Sequence, residues 1–229
     1  MCGILGYHSY RTTEKELEIL AKLFKESVIR GMHAYGFAIG SPGEELIVER
    51  HFDLRESLIS LTLLMKEFIN KECLVIAHCR YDTSGDWKVL ENNQPIVSRK
   101  NILVFNGVVR MSTKEEYEME FGEFYKTDND GEIVLRILEQ SQNNVPVEER
   151  KDGILNLCKE SRVSFSGIYY VDGKSVAYRN KKRPLYISET KEQNSETSTR
   201  WIASTKDIFL RSGFSDCQEV APFSMVELS

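Results

Sequence analysis

The sequence predicts an α+β domain. Three observations carry that prediction: short β-branched and aromatic runs recur in two groups, three apolar-striped segments interrupt them, and no strict strand–helix–strand alternation runs along the chain. A strand-like GILGYH opens the chain. TEKELEILAKLFKESVIR follows, with Thr13 and Glu16 at capping-box spacing and Leu17, Leu20, Ala21, Phe24 and Val28 at helical spacing, so it reads as a surface helix with one buried stripe. YGFAIG and ELIVER read as strands, and residues 55–71, more uniformly apolar, as a helix or covering segment. LVIAHCRY and NILVFN are strands again. EIVLRILEQS places Ile133, Val134, Ile137 and Leu138 on one side, which starts a helix just after Asp130. FSGIYYV and SVAYRN flank Asp172 and Gly173, a pair suited to a two-residue hairpin turn. PLYIS and RWIAST complete the strands, and the polar SETKEQNSETSTR between them reads as an exposed loop rather than a domain boundary. A single domain over 1–229 is the expectation.

Composition excludes several function classes. The 229 residues carry 30 basic and 35 acidic side chains, well mixed, for a net charge of -5, which offers neither a nucleic-acid stripe nor a polybasic membrane patch. No apolar run reaches the ~20 residues that span a bilayer, and no basic leader with a long apolar stretch precedes the first strand, so the expected location is cytoplasmic. The cysteines, Cys2, Cys73, Cys79, Cys158 and Cys217, are odd in number and lack paired spacing, which argues against a disulfide framework and a zinc site. Four scattered histidines and the lack of a glycine-rich phosphate cradle leave no metal and no organic cofactor expected.

Cys2 needs a separate account. Initiator methionine is removed when a small residue follows it, which would leave a thiol and a free α-amine on one residue. The amine titrates near ~7.7–8.0 and the thiol near ~8.5, so at neutral pH one can act as base while the other becomes a nucleophile. Taken alone, a cysteine in an apolar strand is packing. Three further stretches change its weight: RGMHAYGFAIG from Arg30 to Gly40, AHCRYDTSG followed by ENNQPI, and FNG from Phe105 to Gly107.

Together with MCGILGY, and in this order, these stretches resemble the class II glutamine amidotransferase domain of the N-terminal-nucleophile hydrolases. NDGEIVL, YRNKKRPLYIS and WIASTKDIF extend the resemblance over essentially the whole chain. It implies an αββα arrangement of two packed antiparallel sheets flanked by helices. It also implies that Cys2 attacks the side-chain amide of L-glutamine, that Asn106 and Gly107 donate to the oxyanion, and that Arg80, Thr83 and Asp130 bind the substrate. Arg80 would take the α-carboxylate, for which a planar guanidinium is suited, and Asp130 the α-ammonium. Asp130 also stands where a helix N-cap would, and Asp128 is its neighbouring alternative. Arg30 and Gly31 match the pair that packs beneath the nucleophile and orients it.

Departures accompany the match. His33 replaces an Asp, Ala77 replaces the Gly before His78, Phe105 replaces the His of an HNG motif, and Thr205 stands where a Glu is usual. His33 is read as an ordinary polar residue rather than a base, since the α-amine fills that role. The resemblance further implies a separate ammonia-accepting synthase, because no second catalytic domain is evident. Two other functions fit the same motifs: an amidase acting on another γ-glutamyl or small amide, and a catalytically silent regulatory module.

Overall fold

The structure is a computed structural model that describes residues 1–83, 85–109, 114–121, 124–140, 159, 163–171, 173–191 and 198–229. Among them, twelve strands form two antiparallel sheets. The larger sheet runs, in spatial order, β11 (Gln218–Glu219), β9 (Tyr186–Lys191), β10 (Ser198–Ala203), β1 (Gly3–Ser9), β4 (Cys73–Arg80), β2 (Ala34–Gly40) and β3 (Ile47–His51). The smaller runs β12 (Met225–Glu227), β8 (Lys174–Arg179), β7 (Ser164–Val171), β6 (Asn101–Val108) and β5 (Ile96–Ser98).

Three apolar layers hold these parts together, and strand alternation sorts residues among them. On β4, Leu74 and Ile76 face the other sheet while Cys73, Val75 and Ala77 face outward. On β6, Ile102 and Val104 point between the sheets and Leu103 and Phe105 point outward. The outward face of the larger sheet is covered by α1 (Glu14–Ser27), α2 (Leu54–Lys66) and α5 (Lys206–Ser212), which contribute Leu20, Leu23, Phe24, Leu61, Met65, Ile208 and Phe209. The outward face of the smaller sheet is covered by α4 (Gly131–Gln140) through Ile133, Val134 and Leu135. The expected αββα sandwich is therefore present, and α3 (Lys114–Phe121) lies in the connection between β6 and α4. With ~1.5–3 kcal/mol for each large apolar side chain taken from water, the central strands of both sheets are anchored from two sides.

Local signals explain most element ends. Thr13 Oγ1 accepts from the Glu16 amide at 3.2 Å, and Glu16 returns the bond to the Thr13 amide at 2.8 Å, which is the expected capping box. Leu20 and Phe24 are buried as expected, Leu17 and Val28 pack partly against the same core, and Leu23 adds a position outside the predicted stripe. Asp53 caps α2 by accepting from the Glu56 amide at 3.0 Å. Val171 pairs with Lys174 across the hairpin, where Gly173 has φ 81; Asp172 lies outside the described residues. So do the side chains of Ile137 and Leu138, and all of Cys158.

One expectation is corrected. The polar stretch read as a loop supplies most of β9 and the start of β10, paired from Lys191↔Ser198 to Ala203↔Tyr186, with only 192–197 outside the described residues. These strands lie towards the edge of the sheet, where hydroxyl side chains are useful: Thr190 Oγ1 accepts from the buried Trp201 indole at 3.0 Å. The short β5, β11 and β12, and helix α5, carry too little pattern to be read in advance.

Candidate active site

The same alternation that builds the core places the polar residues. Positions 74 and 76 of β4 face the gap between the sheets, so His78 and Arg80, two and four residues on, share that side. By the same period Asn106 follows Ile102 and Val104 on β6, and Cys2 precedes Ile4 on β1. Pairing of Gly3 with Cys79 and Ile4 with His78 brings the start of β1 beside the end of β4. Four polar side chains thus take over the inter-sheet positions at one end of the sandwich.

There the Cys2 nitrogen donates to Asn106 Oδ1 at 3.0 Å. Cys2 Sγ lies 3.4 Å from both the amide nitrogen and the carbonyl oxygen of Tyr81. Since an N–H must meet an oxygen, this bond sets the orientation of the Asn106 amide, and among the described residues its Nδ2 is buried without a hydrogen-bond partner. Such a donor costs stability unless something else supplies an acceptor. Burial pushes the Cys2 thiol above its ordinary range, against the opposing pull of the Tyr81 backbone bond, the chain's terminal amine and Arg80.

Cys2, Arg80, Thr83, Gly107 and Asp130 line one narrow, nearly filled pocket with a cavity volume of about 10 Å³, closed by Gln94 and Phe105 among others. Of the other predicted residues, Gly31 lies directly beneath: a Cβ there would stand 2.3 Å from the Arg80 carbonyl carbon. Arg30 reaches Met1, its Nη2 3.4 Å from the Met1 sulfur. A Cβ on Gly107 would meet the Ser164 carbonyl oxygen at 1.9 Å, so only glycine lets β6 and β7 pair this closely beside the pocket.

Arg80 is buried, and its guanidinium is held from several directions. Nη1 donates to the Asn92 carbonyl and to Asn93 Oδ1 at 2.9 Å; Nη2 donates to Asp82 Oδ1 at 3.0 Å and to the Gly85 carbonyl at 2.6 Å. The Asp130 carboxylate accepts from the Val109 amide at 2.7 Å, tying the start of α4 to the end of β6. Asn129 Oδ1 meanwhile accepts from the Gly131 amide at 3.0 Å in the first turn of that helix. Asp128 lies outside the pocket lining, with its amide donating to Asn92 Oδ1 at 2.9 Å.

Neighbouring positions explain the departures in the motifs. Phe105 stacks on Phe165 with ring centroids 5.3 Å apart and packs against Gly131, so an apolar ring fits where the resemblance led one to expect histidine. His78 Nε2 lies 3.2 Å from the Phe105 carbonyl across the sheets, and burial together with the Arg80 charge lowers its pKa to about 3. It is a neutral cross-tie. His33 Nδ1 accepts from the Asp82 amide at 3.0 Å, and its ring stacks between Tyr81 and Trp87 at 5.2 and 5.5 Å, so it anchors the segment after Arg80. Asn92, Asn93 and Gln94 were not foreseen as site residues. All three are buried, and Gln94 Oε1 accepts from the Phe105 amide at 2.6 Å; three consecutive amides were the available signal.

No protein-family profile matches the chain. A glutamine–fructose-6-phosphate aminotransferase of Sulfurisphaera tokodaii is 25% identical over 201 residues, 85% of this chain and 32% of that protein's length. A glutamine phosphoribosylpyrophosphate amidotransferase of Bacillus subtilis superposes with a TM-score of 0.71 at 20% identity, over 99% of this chain and 47% of that one. A glutamine aminotransferase class-II domain protein of Silicibacter pomeroyi superposes with a TM-score of 0.56 at 13% identity, over 98% of this chain and 93% of that one. This chain thus spans a third to a half of the first two relatives. In its fold, the chain is similar to the class II glutamine amidotransferase domains among these structures.

Proposed function

We propose that this chain, once Met1 is removed, hydrolyses L-glutamine to glutamate and ammonia through a thioester on Cys2. One observation carries the reading: the nitrogen of Cys2 holds Asn106 by its oxygen and leaves Nδ2 of that amide buried without an acceptor among the described residues. An oxyanion forming on a carbonyl attacked by Cys2 is the partner this donor lacks.

The step balances within the residues at the site. The α-amine freed on Cys2 takes the thiol proton, and Sγ forms a bond to the side-chain carbonyl carbon of glutamine. The oxyanion is received by Asn106 Nδ2 and the Gly107 amide. Collapse breaks the C–N bond, and the protonated amine returns its proton to the leaving nitrogen, which departs as ammonia. Water then adds to the thioester, gives its proton to the amine, and releases glutamate as the C–S bond breaks and the sulfur is reprotonated. Arg80 and Asp130 supply opposite charges at one pocket, matching the α-carboxylate and α-ammonium of a free amino acid, and Thr83 adds a hydroxyl at the rim. Arg30 and Gly31 orient the nucleophile. Ammonia protonates in water and loses its nucleophilicity, so an acceptor synthase, as a domain or a subunit, would receive it directly.

The test is intact mass before and after a glutamine-analogue electrophile, alongside glutamate release. Loss of Met1, a single adduct that disappears in Cys2→Ala, and glutamate release that disappears with it are the expected results. A Met-free protein that takes no adduct and releases no glutamate would overturn the reading.

A further inference from the structure

Arg80 is the group that the glutaminase reading assigns to the α-carboxylate of glutamine, and it already holds a carboxylate. Asp82 Oδ1 lies 3.0 Å from Nη2, in an ion pair whose arginine side chain is 3% exposed and whose aspartate is 29% exposed. The Nη1 side of the guanidinium is committed to Asn92 and Asn93, two buried residues. On the Nη2 side, Asp82 is the partner able to yield, because a short, partly solvated side chain can turn about χ1 while its backbone stays in place. That backbone is fixed independently: its amide donates to His33 Nδ1, and the His33 ring is stacked between Tyr81 and Trp87.

Resting on that assignment of Arg80, we propose that Asp82 is an internal competitor for the substrate carboxylate and so a specificity-determining residue. It gives the buried guanidinium a carboxylate counter-charge beside its neutral Asn92, Asn93 and Gly85 acceptors, and an uncompensated buried charge is costly. A substrate with a free α-carboxylate exchanges one carboxylate for another and leaves Arg80 paired. An amide without that carboxylate cannot make the exchange, and Arg80 stays with Asp82. The apparent affinity for glutamine is lowered by the fraction of molecules in which Asp82 occupies the position. No step of the chemistry passes through Asp82.

The experiment compares Met-free wild type with Asp82→Ala and Asp82→Asn, using L-glutamine and its α-amide as substrates; Asp82→Asn is isosteric and keeps a fold if the alanine variant does not. Removing the competing charge should lower KM for glutamine by about tenfold in Asp82→Ala, and by less in Asp82→Asn, because the competent fraction rises. Turnover should stay within about twofold, and kcat/KM for the α-amide should not improve. A higher KM for glutamine in both variants would overturn the proposal, since it would make Asp82 a support for Arg80 or a partner of the substrate ammonium. Equal changes for the two substrates would overturn it too. Wild type that hydrolyses the α-amide better than glutamine, or neither, would instead overturn the reading of Arg80 on which the proposal rests, and the proposal with it.

Discussion

The Cys2 nitrogen and Asn106 Oδ1 are 3.0 Å apart although the two residues are 104 positions apart in the chain. The bond joins the residue just before β1 of the larger sheet to β6 of the smaller one at the end where the pocket lies. It also decides which end of the Asn106 amide is left to donate, and so converts a packing contact into a directional one.

Replacing Asn106 by alanine should therefore damage turnover far more than stability. Loss of one oxyanion donor costs about 10²–10³ in kcat, whereas removing Nδ2 also removes a buried unsatisfied group and offsets part of the lost Oδ1 bond. Steady-state hydrolysis and a urea melt on the same preparations check this. A variant whose turnover falls less than its folded fraction would place the oxyanion elsewhere.

Gly31 tests the floor of the site rather than its chemistry. Its missing side chain faces backbone, with the Tyr81 nitrogen 2.5 Å and the Arg80 carbonyl oxygen 2.6 Å from an ideal Cβ, and backbone cannot swing away as a side chain can. Gly31→Ala should shift the end of β4, with a stability loss of about 1–3 kcal/mol typical of overpacking. Because the shifted peptide is the one that touches Cys2 Sγ, Cys2 alkylation should change in the same variant.

What was legible in the sequence follows from what the two-sheet architecture requires locally. β1, β2 and β4 are buried on both faces, so they appear as unbroken apolar runs, and the capping box of α1 is a contact between residues three apart. Cys2, Arg80 and Asn106 stand out because a polar residue interrupts such a run at its end. The shell around Arg80 was not legible: Asn92 acts through a backbone carbonyl and Asp82 through a side chain just past the strand, and both depend on how β4 ends against the following segment. The polar ends of β9 and β10 were hidden for a different reason. Their outward positions carry Ser, Thr and charged residues, so composition resembles a loop while the pairing is regular.

Glu16 supplies a stability prediction remote from the pocket. Its buried carboxylate accepts from the Thr13 amide at 2.8 Å and the Tyr7 hydroxyl at 3.3 Å, and also holds the Thr199 hydroxyl of β10. A single side chain thereby caps α1 and ties it to β1 and β10. Glu16→Ala removes the return half of the capping box and one acceptor from each hydroxyl, while Tyr7 keeps Thr12 Oγ1 and Thr199 keeps Ser9 Oγ, at a cost of about 1–2 kcal/mol in a denaturant melt. Glu16→Gln keeps one acceptor and should recover about half of that. Hydrolysis of glutamine by the folded fraction should be unchanged, since nothing in this network lines the pocket.

His78 makes the fold sensitive to acid. Its pKa falls from 6.5 to about 3 because burial and the Arg80 charge both disfavour the imidazolium. The unfolded chain therefore binds a proton at this residue between those values while the folded chain does not, so stability rises with pH across that window. The contribution is present in full above pH 6.5 and is lost as pH falls through it towards about 3. His78→Gln, which can still donate to the Phe105 carbonyl but cannot titrate, should flatten the dependence of unfolding free energy on pH by close to one proton in that interval. Denaturant melts at pH 4, 5, 6 and 7, about one unit apart to resolve a single-proton slope, measure it. An identical slope in wild type and variant would mean that His78 is protonated in the folded protein, and the cross-tie to Phe105 would then need a charged donor beside Arg80.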